Sequence, residues 1–359
     1  MKAPTTSVVV CAYTVDRWAE LSAALRAAAA QGPDQLLLVV DHNDQLYRRA
    51  ETELTGPIAG LTVLANVHRR GLSGARNTAI AAATAEVVVF LDDDATPTAG
   101  WLDALRRPYQ DPQVIAVGGA ARPIWPTGQQ RPVTLPSAAR PNGPPAWGEL
   151  DWVVGCSYAG LPTTEQGVRN LMGCNMSFRR EVFTTVGGFS EELGRVGRTP
   201  LGCEETELCI RAVRSGRVDR PARRIVFVPD AQVEHHVSVD RLTWSYLLRR
   251  GWAEGISKAA VATLVGASDA TTTERRYVAR VLPQGVLREL GAVRTGGAAA
   301  ALGALAIALV LAATTAGFLR GRLALLGQRR RGRGGGAVTD GDLGSKTVNQ
   351  TRRKITSPR

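Results

Sequence analysis

Short apolar runs alternate with stretches of helical period through the first 120 residues. Strand-length runs of Val, Leu and Ile fall at 7–12, 35–41, 61–65, 87–91 and 114–119. Between them, helix-like patterns over 18–30, 45–54, 73–84 and 100–109 predict helices. This β-α order predicts βαβ units and an α/β fold with a mostly parallel sheet. A run such as Val87-Val-Val-Phe-Leu91 lacks polar alternation, as expected of a strand covered on both faces. Residues 120–150 are rich in Pro, Gly and Ala without periodicity and predict a connecting loop. Beyond them the pattern is mixed, with strands near 174–178, 225–228 and 232–236 and helices over 204–215 and 242–258.

The run at 87–91 ends in three consecutive carboxylates, Asp92, Asp93 and Asp94. In an open parallel sheet, ligands bind in the crevice beyond the carboxyl ends of the strands. Three like charges there call for a cation, and hard oxygen ligands suit Mg2+ or Mn2+ holding a diphosphate. A solvated acidic turn capping the next helix would have the same pattern. Asp41 ends the second strand, and Glu204, Glu205 and Glu207 open a helix. An Asp can accept a nucleobase N–H and a Glu can take a proton from a hydroxyl. A turn role for Asp41 and dipole compensation for the Glu pair remain the plainer alternatives.

Composition narrows the choice. The chain has 359 residues and a net charge of +12, but from Arg320 onward 11 Lys/Arg face two Asp, so most of the excess sits in the tail. That tail lacks the aromatic interleaving of a single-strand binder, and no nucleic-acid partner is expected. Five cysteines without a Cys-x-x-Cys pair predict reduced thiols, with neither a zinc site nor a disulfide framework. No secretory signal is visible at the start, so the N-terminal domain is expected in the cytosol. Residues 298–319 carry no charge, and a helix of that length reaches roughly 33 Å, enough for a hydrocarbon core of about 30 Å. Ala and Gly dominate it, so membrane association is expected rather than a defined topology, with a disordered basic tail after Gln328 able to meet anionic lipid.

The dinucleotide fingerprint, the phosphate-binding P-loop and the Gly-x-Ser-x-Gly elbow are all missing. A nucleotidyltransferase of related fold would use similar acidic residues, but it needs an early basic phosphate cradle, and Cys11-Ala-Tyr-Thr14 is neutral. A noncatalytic, membrane-bound binding or scaffold protein is the other rival reading.

The order of motifs resembles family 2 inverting glycosyltransferases of the GT-A fold. The matching segments are Ser7-Val-Val-Val-Cys-Ala-Tyr13, Val40-Asp-His-Asn43, Arg70-Gly-Leu-Ser-Gly-Ala-Arg-Asn77, Phe90-Leu-Asp-Asp-Asp94, Gly173-Cys-Asn-Met-Ser-Phe178, Gly187-Gly-Phe189 and Gly202-Cys-Glu-Glu-Thr-Glu-Leu208. Together they cover about residues 5–260. Val154-Gly-Cys-Ser-Tyr-Ala-Gly-Leu-Pro162 and Glu254-Gly-Ile-Ser-Lys258 further resemble the subgroup that includes archaeal glucosyl-dolichyl-phosphate glucuronosyltransferases.

The resemblance implies a donor-binding half over 1–120, an acceptor and catalytic half over 121–260, and a membrane-associated helical region over 261–327 ahead of the tail. It implies that Ala12, Tyr13 and Asp41 hold the base of a nucleotide sugar, UDP-linked by expectation, with Arg76 nearby. Asp92 and Asp93 would face ribose and diphosphate. Asp94, with Asp92 and His235, would ligate Mg2+ or Mn2+. Glu205 would be the base, with Glu204 in reserve, because the family's Glu-Asp reads Glu-Glu here. His236 shares the late-histidine position with His235. The Gln-x-x-Arg-Trp motif of processive relatives is absent near Arg249, Arg250 and Trp252, which points to single transfer onto a lipid-linked or glycan acceptor. The catalytic domain would lie on the cytoplasmic side of a cell membrane.

Overall fold

Every predicted apolar run of the first 120 residues becomes a strand. The computed structural model describes residues 3–138, 146–197, 201–216, 222–266 and 274–332. Strands β1 (Thr6–Ala12), β2 (Gln35–Val40), β3 (Leu61–Ala65) and β4 (Val87–Asp92) run parallel in the spatial order β3-β2-β1-β4. Their missing polar alternation has a direct cause, since two cores share them. Val8, Val10, Leu36, Leu38, Val87 and Val89 face one layer with Leu21 and Leu25 of helix α1 (Trp18–Ala30) and Leu46 of α2 (Asp44–Glu53). Val9, Leu37, Val39, Val88 and Phe90 face the other, with Ala75 and Ala79 of α3 (Leu72–Ala82). Phe90 meets Phe189, Phe183 and Phe178 edge-on at centroid distances of 5.3, 6.2 and 6.5 Å, each pair adding about 0.5–1.5 kcal/mol beyond its buried area.

The sheet continues into a mixed half, in the order β4-β8-β6-β9-β5. It comprises β5 (Ala95–Pro97), β6 (Val114–Ile124), β7 (Gln166–Gly167, on β9), β8 (Asn175–Arg179) and β9 (Arg224–His236). Here the structure departs from the periodicity. β6 runs to Ile124, five residues into the expected loop, and so carries one sheet across residue 120. The two strands expected at 225–228 and 232–236 are one, because Gly119 pairs with Val228 while the next residue, Ala120, pairs with Gln232. Pro229, Asp230 and Ala231 are absorbed in that irregularity, where a proline without an N–H is tolerated. β5, β7 and α5 (Arg180–Val186) are too short to leave a periodic signal. The helix expected over 100–109 is α4 (Trp101–Arg106) continued by a tighter 3-10 turn.

Three further helices complete the described chain: α6 (Glu204–Arg214), α7 (Trp244–Val265) and α8 (Leu282–Gly332), the last kinked at Gly297, φ 55°. α7 outruns its predicted end at 258, and α8 is far longer than the apolar run at 298–319. The two lie backbone to backbone. A Cβ on Gly255 would stand 2.0 Å from Thr314 O, and one on Gly317 would stand 2.2 Å from Trp252 O, so only glycine permits this contact. Ala306, Ile307 and Val310 of α8 enter a core with Leu247, Leu150 and Val154. On its open side Leu302, Leu305, Leu309, Leu319 and Leu323 are exposed. The helical segment Glu274–Leu326, in which a π-helical turn at Tyr277–Val281 leads into α8, is long and apolar enough to cross a membrane, with a mean hydropathy of 2.2 over its best stretch and a third of that stretch buried. The expected basic tail lies, from residue 333 on, outside the described residues.

Candidate active site

The carboxyl ends of β1, β2 and β4 deliver Ala12, Asp41 and Asp92 to one crevice. Asp41 is buried and fully engaged. Its Oδ1 accepts from Asn66 Nδ2 at 2.7 Å and its Oδ2 from the N–H of Gly71 at 2.9 Å. Gly71 sits at φ 131°, where a side chain would be strained and would press on Val196. His42, also at positive φ, places Nδ1 2.9 Å from Asp41 Oδ1. Ala12, Tyr13, Arg17, Asp41, Asp92 and Asp93 line a cavity of about 80 Å³.

The chain turns sharply after Asp92, and β5 then pairs with β9 so that Ala95 lies opposite His235. That register carries His235 Nε2 to 3.2 Å from Asp94 Oδ1, while His236 donates its backbone N–H to Asp94 O at 2.8 Å. Ligand atoms of Asp92, Asp94 and His235 all lie within 4.8 Å of one another. Arg17 Nη1 reaches both Asp94 Oδ2 at 2.8 Å and Asp93 Oδ1 at 2.9 Å, and Arg241 Nη2 reaches Asp94 Oδ2 at 3.1 Å. Burial pushes the Asp93 carboxyl up to about 7, against the pull of Arg17. Burial also acts on Asp94, but His235 when it carries a proton, together with Arg241 and Arg17, outweighs it and holds that carboxyl well below the usual range. Burial lowers His235 despite Asp94, keeping the imidazole neutral and able to ligate. Asp93 Oδ2 and His235 Nδ1 are buried without a hydrogen-bond partner among the described residues. The carboxylates of Asp92 and Asp94 with the His235 imidazole fit a divalent cation of the Mg2+ or Mn2+ kind.

Arg76, expected near the nucleobase, is held by acidic and carbonyl partners. It lies between the triplet and the Glu pair, with Nη1 2.8 Å from Glu204 Oε1 and Nη2 2.8 Å from Gly173 O and 3.4 Å from Asp92 Oδ1. Arg76 and Glu204 are both nearly sealed from solvent. Glu205, next along the first turn of α6, is half-buried and its carboxyl is pushed up to about 7 by burial and by the charge of Glu204. Cys203 starts that helix at φ 70°, and its thiol donates to Glu254 Oε1 at 3.3 Å. Glu204, Glu205, His235, Trp152, Tyr158 and Arg169 belong to a larger cavity of about 240 Å³, whose wall also includes Val310, Leu311 and Thr314 of α8. Asp92, Leu72 and Arg195 line both cavities. Arg17, Arg241 and Arg195 escaped sequence reasoning, because isolated arginines in turns carry no period or spacing.

The sequence model for "Glycosyl transferase family 2" matches residues 7–187. The chain belongs to this family. It is a glycosyltransferase. The chain is 31% identical over 255 residues to the glucosyl-dolichyl phosphate glucuronosyltransferase of Haloferax volcanii, covering 70% of this chain and 75% of that one. It is 28% identical to the pre-mycofactocin glycosyltransferase of Mycobacterium tuberculosis, over 54% of this chain and 36% of the relative. Among solved structures, a mannosyltransferase from Pyrobaculum calidifontis, in complex with GDP-Man and Mn2+, superposes with a TM-score of 0.54 at 19% identity, covering 89% and 88% of the two chains. The glycosyltransferase thus has the GT-A fold with an apolar C-terminal helix added to it.

Proposed function

We propose that this glycosyltransferase moves a sugar from a nucleoside diphosphate, a UDP-sugar being the first to try, to a hydroxyl of a lipid-linked acceptor, with inversion in one displacement. The observation that carries the reading is the pair of cavities meeting at Asp92, one beside Asp41 and the triplet, the other beside Glu205. The smaller takes the donor: Ala12 and Tyr13 flank the base, and Asp92 and Asp93 face ribose and diphosphate. Asp94, Asp92 and His235 would hold the divalent cation, which when bound neutralises charge on the diphosphate. The larger takes the acceptor. Glu205 accepts the hydroxyl proton as that oxygen bonds to the anomeric carbon, while the bond from that carbon to the diphosphate oxygen breaks on the opposite face. Arg76 ties down Glu204, which leaves Glu205 as the carboxylate for the proton and makes Glu204 a positioning residue.

A lipid-linked acceptor is supported by the Haloferax relative, whose name gives a dolichyl phosphate, and by the exposed leucines of α8, which would hold the catalytic domain on the cytoplasmic face of a membrane. The test is incubation of the purified full chain with nucleotide sugars, Mg2+ or Mn2+ and a prenyl-linked sugar, followed by the anomeric proton of the product by NMR. An α-linked donor is expected to give a β-linked product only with the cation present. An α-linked product, or full turnover in excess chelator, overturns the inversion or the metal assignment respectively.

A further inference from the structure

The apolar run of α8 is long enough to cross a bilayer, yet one side of it is already taken. Ala304, Ala306, Ile307 and Val310 are buried, and Gly317 and Gly321 lie against Trp252 and Ile256 of α7. Ile307 and Val310 share a core with Leu135, Leu150 and Val154, which come from turns and a 3-10 helix. Gly303 stands beside Pro136 and the carboxylate of Glu289, and the loop that carries Pro136 is exposed at Gln130 and Val133. Irregular backbone facing hydrocarbon leaves N–H and C=O groups without partners, and a carboxylate at that depth is costly. Docked as it is, α8 cannot stand upright in a bilayer without carrying both into it.

The opposite side is bare. Leu302, Leu305, Leu309, Leu319, Leu323 and Leu326 are exposed, and their spacings of three, four and ten residues keep them on one stripe, about 36 Å long at the helical rise. No charge falls between Arg294 and Arg320, and from Leu290 to Thr339 the chain has seven arginines and no carboxylate. A second copy on this stripe would bring like charges together, whereas an anionic bilayer matches both the leucines and the cationic ends of the run.

We propose that α8 is an in-plane anchor. Its leucine stripe sinks into the headgroup boundary of one leaflet of an anionic bilayer, its glycine side stays on the catalytic domain, and both of its ends remain on one side of the membrane. This rests on the membrane attachment proposed above and fixes its geometry. Val310, Leu311 and Thr314 also line the larger cavity, so a single helix parts that cavity from the leaflet.

Flotation of the purified full chain with phosphatidylcholine vesicles, with and without phosphatidylglycerol, reads the stripe. Binding is expected to be at least about tenfold tighter with the anionic lipid and to weaken as salt rises. Leu305→Glu combined with Leu309→Glu is expected to weaken binding to both kinds of vesicle at least about tenfold, with the thermal melt unchanged because both side chains are exposed. Arg294→Gln combined with Arg320→Gln is expected to remove most of the anionic preference and leave binding to neutral vesicles as it was. Topology is read in sealed membrane vesicles from an expressing cell, by protease cleavage of one tag fused before Met1 and another fused after Arg359. The two tags are expected to share one fate. Protection of one tag alone shows a span and overturns the proposal, as does equal binding to neutral and anionic vesicles. Conversion of a dimer to a monomer by the Leu→Glu pair, with flotation intact, would give the stripe to a second copy instead. A chain that floats as expected but transfers nothing to a prenyl-linked sugar in detergent would defeat the acceptor reading and leave the anchor standing.

Discussion

The two cavities that meet at Asp92 are built in opposite ways. The smaller one has a local floor: Cys11, Ala12, Tyr13, Arg17, Asp41, Asp92 and Asp93 come from the ends of β1, β2 and β4 and the turns just after them, while Leu72, Ala75, Arg195, Gly197 and Arg241 close it from outside the sheet. The larger one is assembled mainly from α6, α7, α8 and the loops around Trp152 and Arg169, segments that lie between Leu150 and Thr314 in the chain. On the proposed assignment, the nucleoside diphosphate is the constant ligand and suits a site floored by the sheet. An acceptor varies, and a wall of packed helices can be altered without disturbing the strands.

The sharpest way to separate the two is Glu205→Gln, which keeps the size of the side chain but removes the proton acceptor. Turnover is expected to fall by about 10²–10⁴-fold with donor affinity nearly unchanged, measured by product release beside calorimetry. Loss of donor affinity would mean that the carboxylate shapes the donor site. Next in size is Arg76→Met, which strands Glu204 as a buried unpaired charge between the cavities. A loss of about 3–5 kcal/mol in a denaturant titration is expected, and a stability within 1 kcal/mol of native would show the pair to be incidental.

Gly255→Leu breaks the acceptor side alone, by forcing α7 off α8. Overpacking is expected to cost about 1–3 kcal/mol and to impair transfer to a prenyl-linked acceptor more than donor binding. Equal damage to both would place α8 in the support of the donor site.

The smallest effects follow from the Glu205 carboxyl near 7. Turnover should fall tenfold per pH unit below about 7, and a profile flat down to pH 5 would exclude this group as the base. In the unfolded chain the same carboxyl titrates near 4.5, so the folded form binds the extra proton between 4.5 and 7 and loses stability as pH rises through that window. At pH 8 Glu205→Gln should therefore be more stable than native by about 1–2 kcal/mol, read from thermal melts. No gain would mean that the charge is already well compensated.

This difference in construction also decides what could be read from the sequence. β1, β2 and β4, with Asp41 just after β2 and Asp92 at the end of β4, were legible because a strand buried on both faces writes an unbroken apolar run, and the carboxylate stands where that run stops. The continuity of β9 was not, because Pro229-Asp230 reads as a turn and only the pairing partner β6 reveals the irregularity that absorbs it. The place of Arg76 between Glu204 and Asp92 was equally hidden, since a contact across 128 positions leaves no local trace. The apolar run at 298–319 was visible, but its docking depends on glycines in two distant helices, and glycine patterns do not announce their partners.

The thiols allow the two cavities to be watched separately. Cys11 lies in the wall of the smaller cavity and Cys203 in that of the larger, both as free cysteines. Burial raises the Cys11 thiol to about 12 and that of Cys203 well above its usual value, so neither reacts readily while its surroundings stay closed. Alkylation of each then becomes a clock for the opening of its own chamber. A donor should slow the first clock and an acceptor the second, so that mass spectrometry of the labelled peptides could time the two binding events in a single tube.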